Sequence, residues 1–182
     1  YWDWLGDLKA LPKKDKAQGV AQALVRDWLL QCDSYQSVIW HPYPTSLRII
    51  NMLIYAEWVL ANAKEDLKDA YWQSLNRQVS YLVNNLEWQL EGNHLVKNIK
   101  ALIYAGLCLK GRQSLFLEGQ KLLLKHLTEQ ILPDGTHYER SPMYHAQVLE
   151  DILEIQMLIR QAGGKVAPQL VDMIDRMGAA LQ

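Results

Sequence analysis

Apolar residues recur along the chain with the spacing of one helix face, and no segment alternates apolar and polar residues as a half-buried strand does. In one segment the apolar residues Ile49, Ile50, Leu53, Ile54 and Trp58 fall on a single face. The pattern predicts an all-α chain with helices over residues 17 to 32, 46 to 62, 65 to 90, 94 to 110, 113 to 131, 142 to 162 and 167 to 181.

Candidate capping residues agree with several of these helix starts. Thr45 or Ser46 is suited to cap the second predicted helix, and Asn93 is suited to cap the fourth. Ser141 followed by Pro142 is typical of a helix start, so the sixth predicted helix is expected to begin at the proline.

The connections between the predicted helices are of two kinds, which alternate along the chain. Short turns fall near residues 62 to 65, 110 to 113 and 162 to 167, whereas richer loops span 33 to 46, 90 to 94 and 131 to 143. Alternate connections of antiparallel helices emerge at the same end. The three rich loops are therefore expected to share one rim, and their repeat of about 50 residues suits stacked helical hairpins.

Composition and charge exclude several classes of partner. The 182 residues fit a single helical domain, and Lys+Arg 19 against Asp+Glu 20 leaves a net charge of -1, which does not favour nucleic acid or an acidic membrane. The most apolar window contains Arg48, Asn51 and Glu57, so no membrane-spanning helix is expected. An anionic ligand would have to be held by a local cluster of residues.

The aromatic residues are biased towards those with a polar edge, with Trp 7 and Tyr 9 against Phe 1. Such rings suit positions where a packed face meets water or a sugar, although they also wedge between helices near a surface. No phosphate-binding, dinucleotide-binding or zinc-protease motif is present. The histidines that could lie near one another are irregularly spaced, so no metal or other cofactor is expected from His41, His94, His137 and His145.

The segment GNHLVKNIKALIYAG, residues 92 to 106, begins with polar residues at a predicted helix start. Gly92 permits a sharp turn, and Asn93 then lies where its amide and the unpaired backbone N–H groups can face an anion. His94 follows directly. The alternative is that Asn93 only caps the helix and that His94 is an ordinary surface residue.

The segment DGTHYERSPMYHAQVLEDIL, residues 134 to 153, has more polar chemistry than a connecting loop needs. Tyr138, Glu139 and Arg140 precede the predicted helix, and Tyr144 and His145 lie in its first turn. A tyrosine beside cationic groups can serve as a proton donor or acceptor. The alternative is that an ion pair between the glutamate and the arginine braces the loop while the tyrosine packs.

The third rich loop contains the aromatic residues Trp40, His41 and Tyr43 within WHPYP. Each proline fixes its own φ and restricts the residue before it, so this segment is stiff. A stiff aromatic surface can be a platform for sugar rings or a rigid corner between helices, and the sequence leaves both possibilities open.

Taken together, WHPYPTSLRIIN, NNLEWQLEGNHLVKNIKALIYAG and DGTHYERSPMYHAQVLEDIL resemble the helical domain of the heparinase II/III-like polysaccharide lyases, whose relatives include alginate lyases. The resemblance runs from about residue 35 to 160, and GNHL and ERSPMYH are its specific part. It implies antiparallel helical hairpins forming part of an incomplete α/α toroid. In that family a β-sandwich domain follows the toroid, so this chain is expected to be an internal piece whose β-sandwich partner lies elsewhere in the same polypeptide.

The resemblance also implies β-elimination on an anionic polysaccharide that contains uronic acid, such as heparan sulfate or alginate. Asn93 and His94 would neutralise the uronate carboxylate, and Tyr144 would act as base, acid or both, with Tyr138 as the reserve. The implied substrate-binding residues are Arg140, His145, Trp40, His41, Tyr43 and Glu139. Because the family takes a further histidine from its β-sandwich, this chain alone is expected to turn over little, and the whole protein is expected outside the cytoplasm.

Two other functions are compatible with the sequence. A glycoside hydrolase on an α/α toroid would use two of Glu91, Asp134 and Glu139 as paired carboxylates. A catalytically silent helical scaffold would bind carbohydrate or protein in its groove. Neither alternative requires a cofactor.

Overall fold

The computed structural model describes residues 1–32, 38–90 and 92–181 of the chain. These residues form eight α-helices and one 3₁₀ helix, and the β-structure among them is one isolated bridge between Ile131 and His137. The predicted all-α class is therefore confirmed. The chain contains two compact units, Tyr1–Asn85 and Leu86–Gln182.

The first unit contains four α-helices and the 3₁₀ helix. Their bounds are α1 Trp4–Ala10, α2 Lys14–Gln31, the 3₁₀ helix Val38–Trp40, α3 Pro42–Leu60 and α4 Glu65–Val83. The sequence pattern missed α1, because seven residues are too short to show a helical period. The prediction that Thr45 or Ser46 caps the second predicted helix is wrong, since α3 already begins at Pro42 and both residues are buried inside it.

The buried face of α3 differs from the predicted one. Ile49, Met52, Ala56 and Val59 are buried, whereas Ile54, which was placed on the apolar face, is 46% exposed. The helix is therefore rotated relative to the face that apolar spacing alone predicts.

Arg48 explains this rotation, because its side chain is buried in the first unit despite its charge. Its guanidinium lies 4.6 Å from the ring centre of Trp28, and its Nε donates to Gln78 Oε1 at 2.6 Å. Burial lowers the pKa of Arg48 to about 10. The stacking and hydrogen-bond partners of Arg48 allow its charged side chain to be buried in the core. A pattern of apolar residues alone does not reveal that a charged residue lies on the buried face of α3.

The second unit contains α5 Gly92–Cys108, α6 Gln113–Gln130, α7 Pro142–Gln161 and α8 Pro168–Ala179. Its core is built from the apolar faces of these four helices, among them Leu95, Ile99, Leu127 and Ile152. Gly106 lets α5 and α6 approach closely, because a Cβ at this position would overlap the backbone nitrogen of Phe116.

Two helix boundaries near the rich loops differ from prediction and one agrees. α4 ends at Val83 rather than near residue 90, because the side-chain amides of Asn84 and Asn85 donate to backbone carbonyls of the preceding turn. α5 begins at Gly92, so Asn93 lies within its first turn and does not cap it. Ser141 caps α7 as predicted, with its Oγ accepting from the Tyr144 N–H at 3.5 Å. No described helix is both long and apolar enough for a membrane crossing.

Candidate functional site

α5 and α7 run side by side in the same direction. Asn93 Nδ2 donates to Gln147 Oε1 at 3.3 Å, and one turn further on Lys97 Nζ donates to Asp151 Oδ1 at 2.5 Å. The partners in both pairs are 54 residues apart in sequence, so the two helices advance together. Their N-termini therefore lie at the same end of the second unit.

Tyr144 lies at this end, one turn before Gln147 on α7. Residues three apart on a helix share a face, with about 5–6 Å between their Cβ atoms. Tyr144 is half-buried, and its backbone N–H is held by the Ser141 cap. The structure thus brings Asn93 and Tyr144 to the first turns of two neighbouring parallel helices.

The loop before α7 packs on the first turn of α5. A Cβ on Gly92 would overlap Glu139 Oε1 and would lie 3.4 Å from the Tyr138 hydroxyl. Gly92 also has φ +50, a conformation that glycine adopts without strain. Tyr138 and Glu139 are therefore brought to the same end as Asn93, so two of the three predicted rich loops meet at one rim.

His94 contacts a buried carboxylate that the sequence reasoning did not single out. Its Nδ1 lies 3.1 Å from Glu87 Oε1, and the two side chains are 39% and 3% exposed. Asn98, which is fully buried, donates to the other carboxylate oxygen of Glu87 at 3.0 Å and accepts from the Glu87 backbone N–H at 2.9 Å. His94 is thus anchored on one edge while remaining partly open to solvent.

A buried network of charges joins α5 to α7 below the rim. Lys100 Nζ donates to Asp151 Oδ1 at 2.7 Å and also pairs with Glu154, and Lys97 binds the same Asp151 oxygen. Burial acts to lower the pKa of Lys100, but the two carboxylates outweigh burial and leave the pKa raised. The network fixes the register of α5 against α7, and so the positions of Asn93 and Tyr144.

His145 is occupied by backbone partners. Its Nδ1 accepts from the His137 backbone N–H at 3.1 Å, and its Nε2 lies 3.0 Å from the Met177 carbonyl oxygen. With 5% exposure, the ring ties the loop before α7 to α8. Both ring nitrogens are therefore engaged, which corrects the expectation that His145 binds substrate.

Arg140 is exposed and has φ +52, an uncommon value for a residue with a side chain. It lines a cavity of about 320 Å³ together with Asp134, His137, Ser141 and residues of the α8 end. The hydrogen bonds from Thr136, followed by the charge of Arg140, lower the pKa of Asp134. Arg140 thus lies in the loop that carries Tyr138 and Glu139, with its side chain accessible.

The three aromatic candidates of the WHPYP segment belong to the first unit. Trp40 is 1% exposed, its Nε1 donates to the Cys32 carbonyl oxygen at 3.2 Å, and its ring meets Tyr81 edge-on at 5.3 Å. A sugar platform needs an open ring face, so the prediction that Trp40 lines a sugar subsite is wrong. His41 is exposed and Tyr43 is half-buried, so both remain accessible.

The carboxylates that a glycoside hydrolase would use have different surroundings among the described residues. Asp134 Oδ1 accepts from the Thr136 N–H and hydroxyl at 2.9 and 2.7 Å, which makes it part of a turn. Glu139 lies against Gly92 at the start of α5, and Glu91 is outside the described residues. In the part of the chain that the structure describes, no group of three or more histidine, cysteine or acidic side chains is placed to hold a metal ion.

The sequence reasoning missed Glu87 and Gln147, although both lie in the segments that it quoted. Gln147 is three residues after Tyr144, a spacing that places both on one helix face and could have identified it. Glu87 could not have been found in this way, because the turn that brings it back to His94 was predicted to be helix.

Comparison with solved structures places these helices among known folds. The chain aligns with heparinase III at a TM-score of 0.80 and 20% identity, covering 92% of this chain and 27% of that one. It aligns with heparan sulfate lyase HepC from Pedobacter heparinus at a TM-score of 0.79 and 18% identity, covering 99% of this chain and 30% of that one. The likeness confirms the predicted fold of antiparallel helical hairpins from an incomplete α/α toroid.

A curated relative and a family model match almost the whole chain. FtsZ-localized protein C of Caulobacter vibrioides (strain NA1000 / CB15N) is 27% identical over 182 residues, which are 98% of this chain and 31% of that protein. The chain thus spans about a third of the length of these relatives. The model of the heparinase II/III N-terminus matches residues 3–180, and the chain therefore belongs to the heparinase II/III N-terminus family.

Proposed function

We propose that the protein is a polysaccharide lyase that cleaves a uronate-containing polysaccharide by β-elimination, with the reacting sugar at the N-terminal ends of α5 and α7. Membership of the heparinase II/III family supports this class of reaction. The main support for giving the catalytic roles to Asn93 and Tyr144 is the contact between Asn93 and Gln147, because Gln147 is one turn from Tyr144 on α7.

The barrier to this reaction is the low acidity of the proton on the carbon next to the carboxylate. Asn93 and His94 lower it by donating hydrogen bonds to the carboxylate, which strengthen as charge moves onto its oxygens. The base removes the proton from C5, the electron pair of that C–H bond forms the C4=C5 double bond, and the C4–O bond breaks. The products are an unsaturated sugar and a leaving oxygen that requires a proton.

Tyr144 supplies the proton transfer in this proposal. As phenolate it accepts the C5 proton, and as phenol it returns that proton to the leaving oxygen, so one residue serves both steps. Tyr138, whose hydroxyl would lie 3.4 Å from a Cβ on Gly92, is the reserve for the same task. Arg140 and Glu139 are proposed to contact neighbouring sugars, as their exposure at this rim allows. His41 and Tyr43 of the first unit stay proposed substrate-binding residues because their side chains are accessible.

The test is product formation by the complete gene product on heparan sulfate and on alginate. Elimination gives a conjugated double bond with ultraviolet absorbance, whereas hydrolysis gives saturated ends. We expect Tyr144→Phe to lower kcat by about 10²- to 10⁴-fold and Asn93→Ala by about 10²- to 10³-fold, with small changes in KM. Tyr104→Phe, on the distant half of α5, is the matched control and should retain activity.

Three results would contradict this proposal in different ways. Cleavage without new ultraviolet absorbance would indicate a hydrolase. Loss of activity in Tyr138→Phe but not in Tyr144→Phe would transfer the acid–base role to Tyr138. Binding of the polysaccharide without any cleavage would support the silent scaffold.

A second function is proposed from the curated relative, which has a higher identity to this chain than the lyase structures do. That protein is named for its localization with FtsZ, and the same localization is proposed for the complete gene product here. A fluorescent fusion that coincides with labelled FtsZ would support it, and an even distribution would contradict it. The Asn93→Ala variant should leave such localization unchanged, because the proposed chemistry is not required for it.

A further inference from the structure

Glu87 is a charged residue whose carboxylate is almost completely removed from water. Transfer of an ionised carboxylate to such a place is costly unless hydrogen bonds and a counter-charge compensate it. The compensation comes from α5, where Asn98 Nδ2 donates to Oε2 at 3.0 Å and His94 Nδ1 lies 3.1 Å from Oε1. Each carboxylate oxygen therefore has a partner on the same helix.

Asn98 fixes which way the carboxylate points. Its Oδ1 accepts from the Glu87 backbone N–H at 2.9 Å while its amide donates to Oε2, so the backbone and side chain of Glu87 are held by the same residue. Asn98 is fully buried and is four residues after His94, on the same face of α5. The carboxylate has little freedom to leave the imidazole.

The carboxylate in turn fixes the imidazole of His94. An ionised carboxylate only accepts hydrogen bonds, so His94 Nδ1 must carry a proton and donate it to Oε1. Nε2 is on the opposite edge of the ring, and the side chain of His94 is 39% exposed. In the proposed function, this Nε2 edge is the part of the ring that meets the uronate carboxylate beside Asn93.

From this geometry we infer that Glu87 is a positioning residue, which holds His94 with its Nδ1 proton directed into the protein and its Nε2 directed towards the ligand. The inference rests on the proposed function, in which His94 donates a hydrogen bond to the uronate carboxylate. A ring that donates from both nitrogens is an imidazolium, and Glu87 supplies the counter-charge for it. Glu87 acts through His94 and does not touch the sugar.

The Glu87→Gln variant tests the inference because it preserves shape and replaces one acceptor oxygen with a donor. Asn98 Nδ2 still requires an acceptor, so the new amide at position 87 must turn its oxygen to Asn98 and its NH₂ group to His94. His94 Nδ1 must then accept, which moves the proton of the neutral ring to Nε2. Nitrogen-15 NMR of labelled histidine in the complete gene product distinguishes these two tautomers, with His94→Gln identifying the signal.

The double variant Glu87→Gln with Asn98→Asp should reverse the effect. The new carboxylate at position 98 accepts both from the backbone N–H of residue 87 and from the NH₂ group of the new amide there, so the amide oxygen again faces His94 Nδ1. We expect the Nδ1–H tautomer to return. In the lyase assay we expect kcat to fall roughly 10- to 100-fold in the single variant, by analogy with the hydrogen-bond partners of metal-bound histidines. We expect kcat to recover in part in the double variant.

The outcomes separate this inference from the proposed function. An Nε2–H tautomer for neutral His94 in the unmodified protein, which can be measured even if the variants do not fold, would overturn the inference. So would an unchanged tautomer and kcat in Glu87→Gln. If the tautomer changes and reverts as expected but the unmodified protein produces no unsaturated sugar, the positioning of His94 by Glu87 stands while the lyase function fails.

Discussion

His137 is expected to make the second unit less stable below neutral pH. Its side chain has no exposed surface, and its Nε2 lies 3.1 Å from Gln130 Oε1. Its Nδ1 is buried and has no hydrogen-bond partner among the described residues. Burial, and then the charge of His145, lowers the pKa of His137 to about 4. In the unfolded chain the pKa of a histidine is about 6.5, so between these values the unfolded state binds the extra proton.

The direction and size of the effect follow from this difference in proton binding. A pKa that is lower in the folded state makes stability fall as the pH falls from about 6.5 towards 4. A difference of about 2.5 pKa units corresponds to roughly 3 kcal/mol, of which about 2 kcal/mol is lost between pH 7 and pH 5. That is a large part of the 5–15 kcal/mol that typically stabilises a folded protein.

The measurement is urea unfolding at pH 7 and pH 5, followed by circular dichroism. His137→Gln can still donate to the Gln130 carbonyl but does not titrate, so its loss of unfolding free energy between the two pH values should be smaller by about 2 kcal/mol. The exposed His41→Gln variant is the control and should behave like the unmodified protein. Equal pH dependence in the His137→Gln and unmodified proteins would refute the reasoning.

Two substitutions test the start of α5 and the charge network below it. Gly92→Ala should cost about 1–2 kcal/mol of stability through its positive φ and should also impair catalysis by displacing the loop before α7. Gly111→Ala is the control, because Gly111 has φ +81 but, apart from its chain neighbours, no described residue lies within 4 Å of the added Cβ; it should show only the loss of stability in thermal unfolding. Asp151→Asn should lower the free energy of unfolding by about 3–5 kcal/mol in urea, because Lys100 loses its buried counter-charge. Asp172→Asn removes an exposed ion pair and should change the free energy of unfolding by less than about 1 kcal/mol. Equal effects of the two substitutions would contradict the role given to the network.

The helical class and most helices could be predicted from apolar spacing, because burial of one face dominates their sequences. Prediction failed where a polar contact decided the structure. Arg48 turns α3 inwards through its stacking on Trp28, and the amides of Asn84 and Asn85 end α4 early. Such contacts depend on residues distant in sequence or on local competition for backbone carbonyls, which the period of a helix does not report.

The candidate site was predictable in its outline but not in its supporting residues. The proximity of the loops around Asn93 and Tyr138 followed from counting antiparallel helices. The burial of Trp40 and the engagement of both His145 nitrogens did not, because a polar aromatic residue looks the same in sequence whether its partner is a ligand or a backbone carbonyl. The link from Glu87 to His94 depended on a turn whose path the sequence did not show.

The paired contacts between α5 and α7 limit where residues can be inserted or deleted in this protein. An insertion or deletion of one residue between Asn93 and Lys97 would rotate everything beyond it by about 100° around the helix axis and shift it by about 1.5 Å. Asn93 could then face Gln147, or Lys97 could face Asp151, but not both. Homologous proteins should therefore vary in length in the turn between α5 and α6 or between α7 and α8, while the first two turns of α5 and α7 keep a constant number of residues.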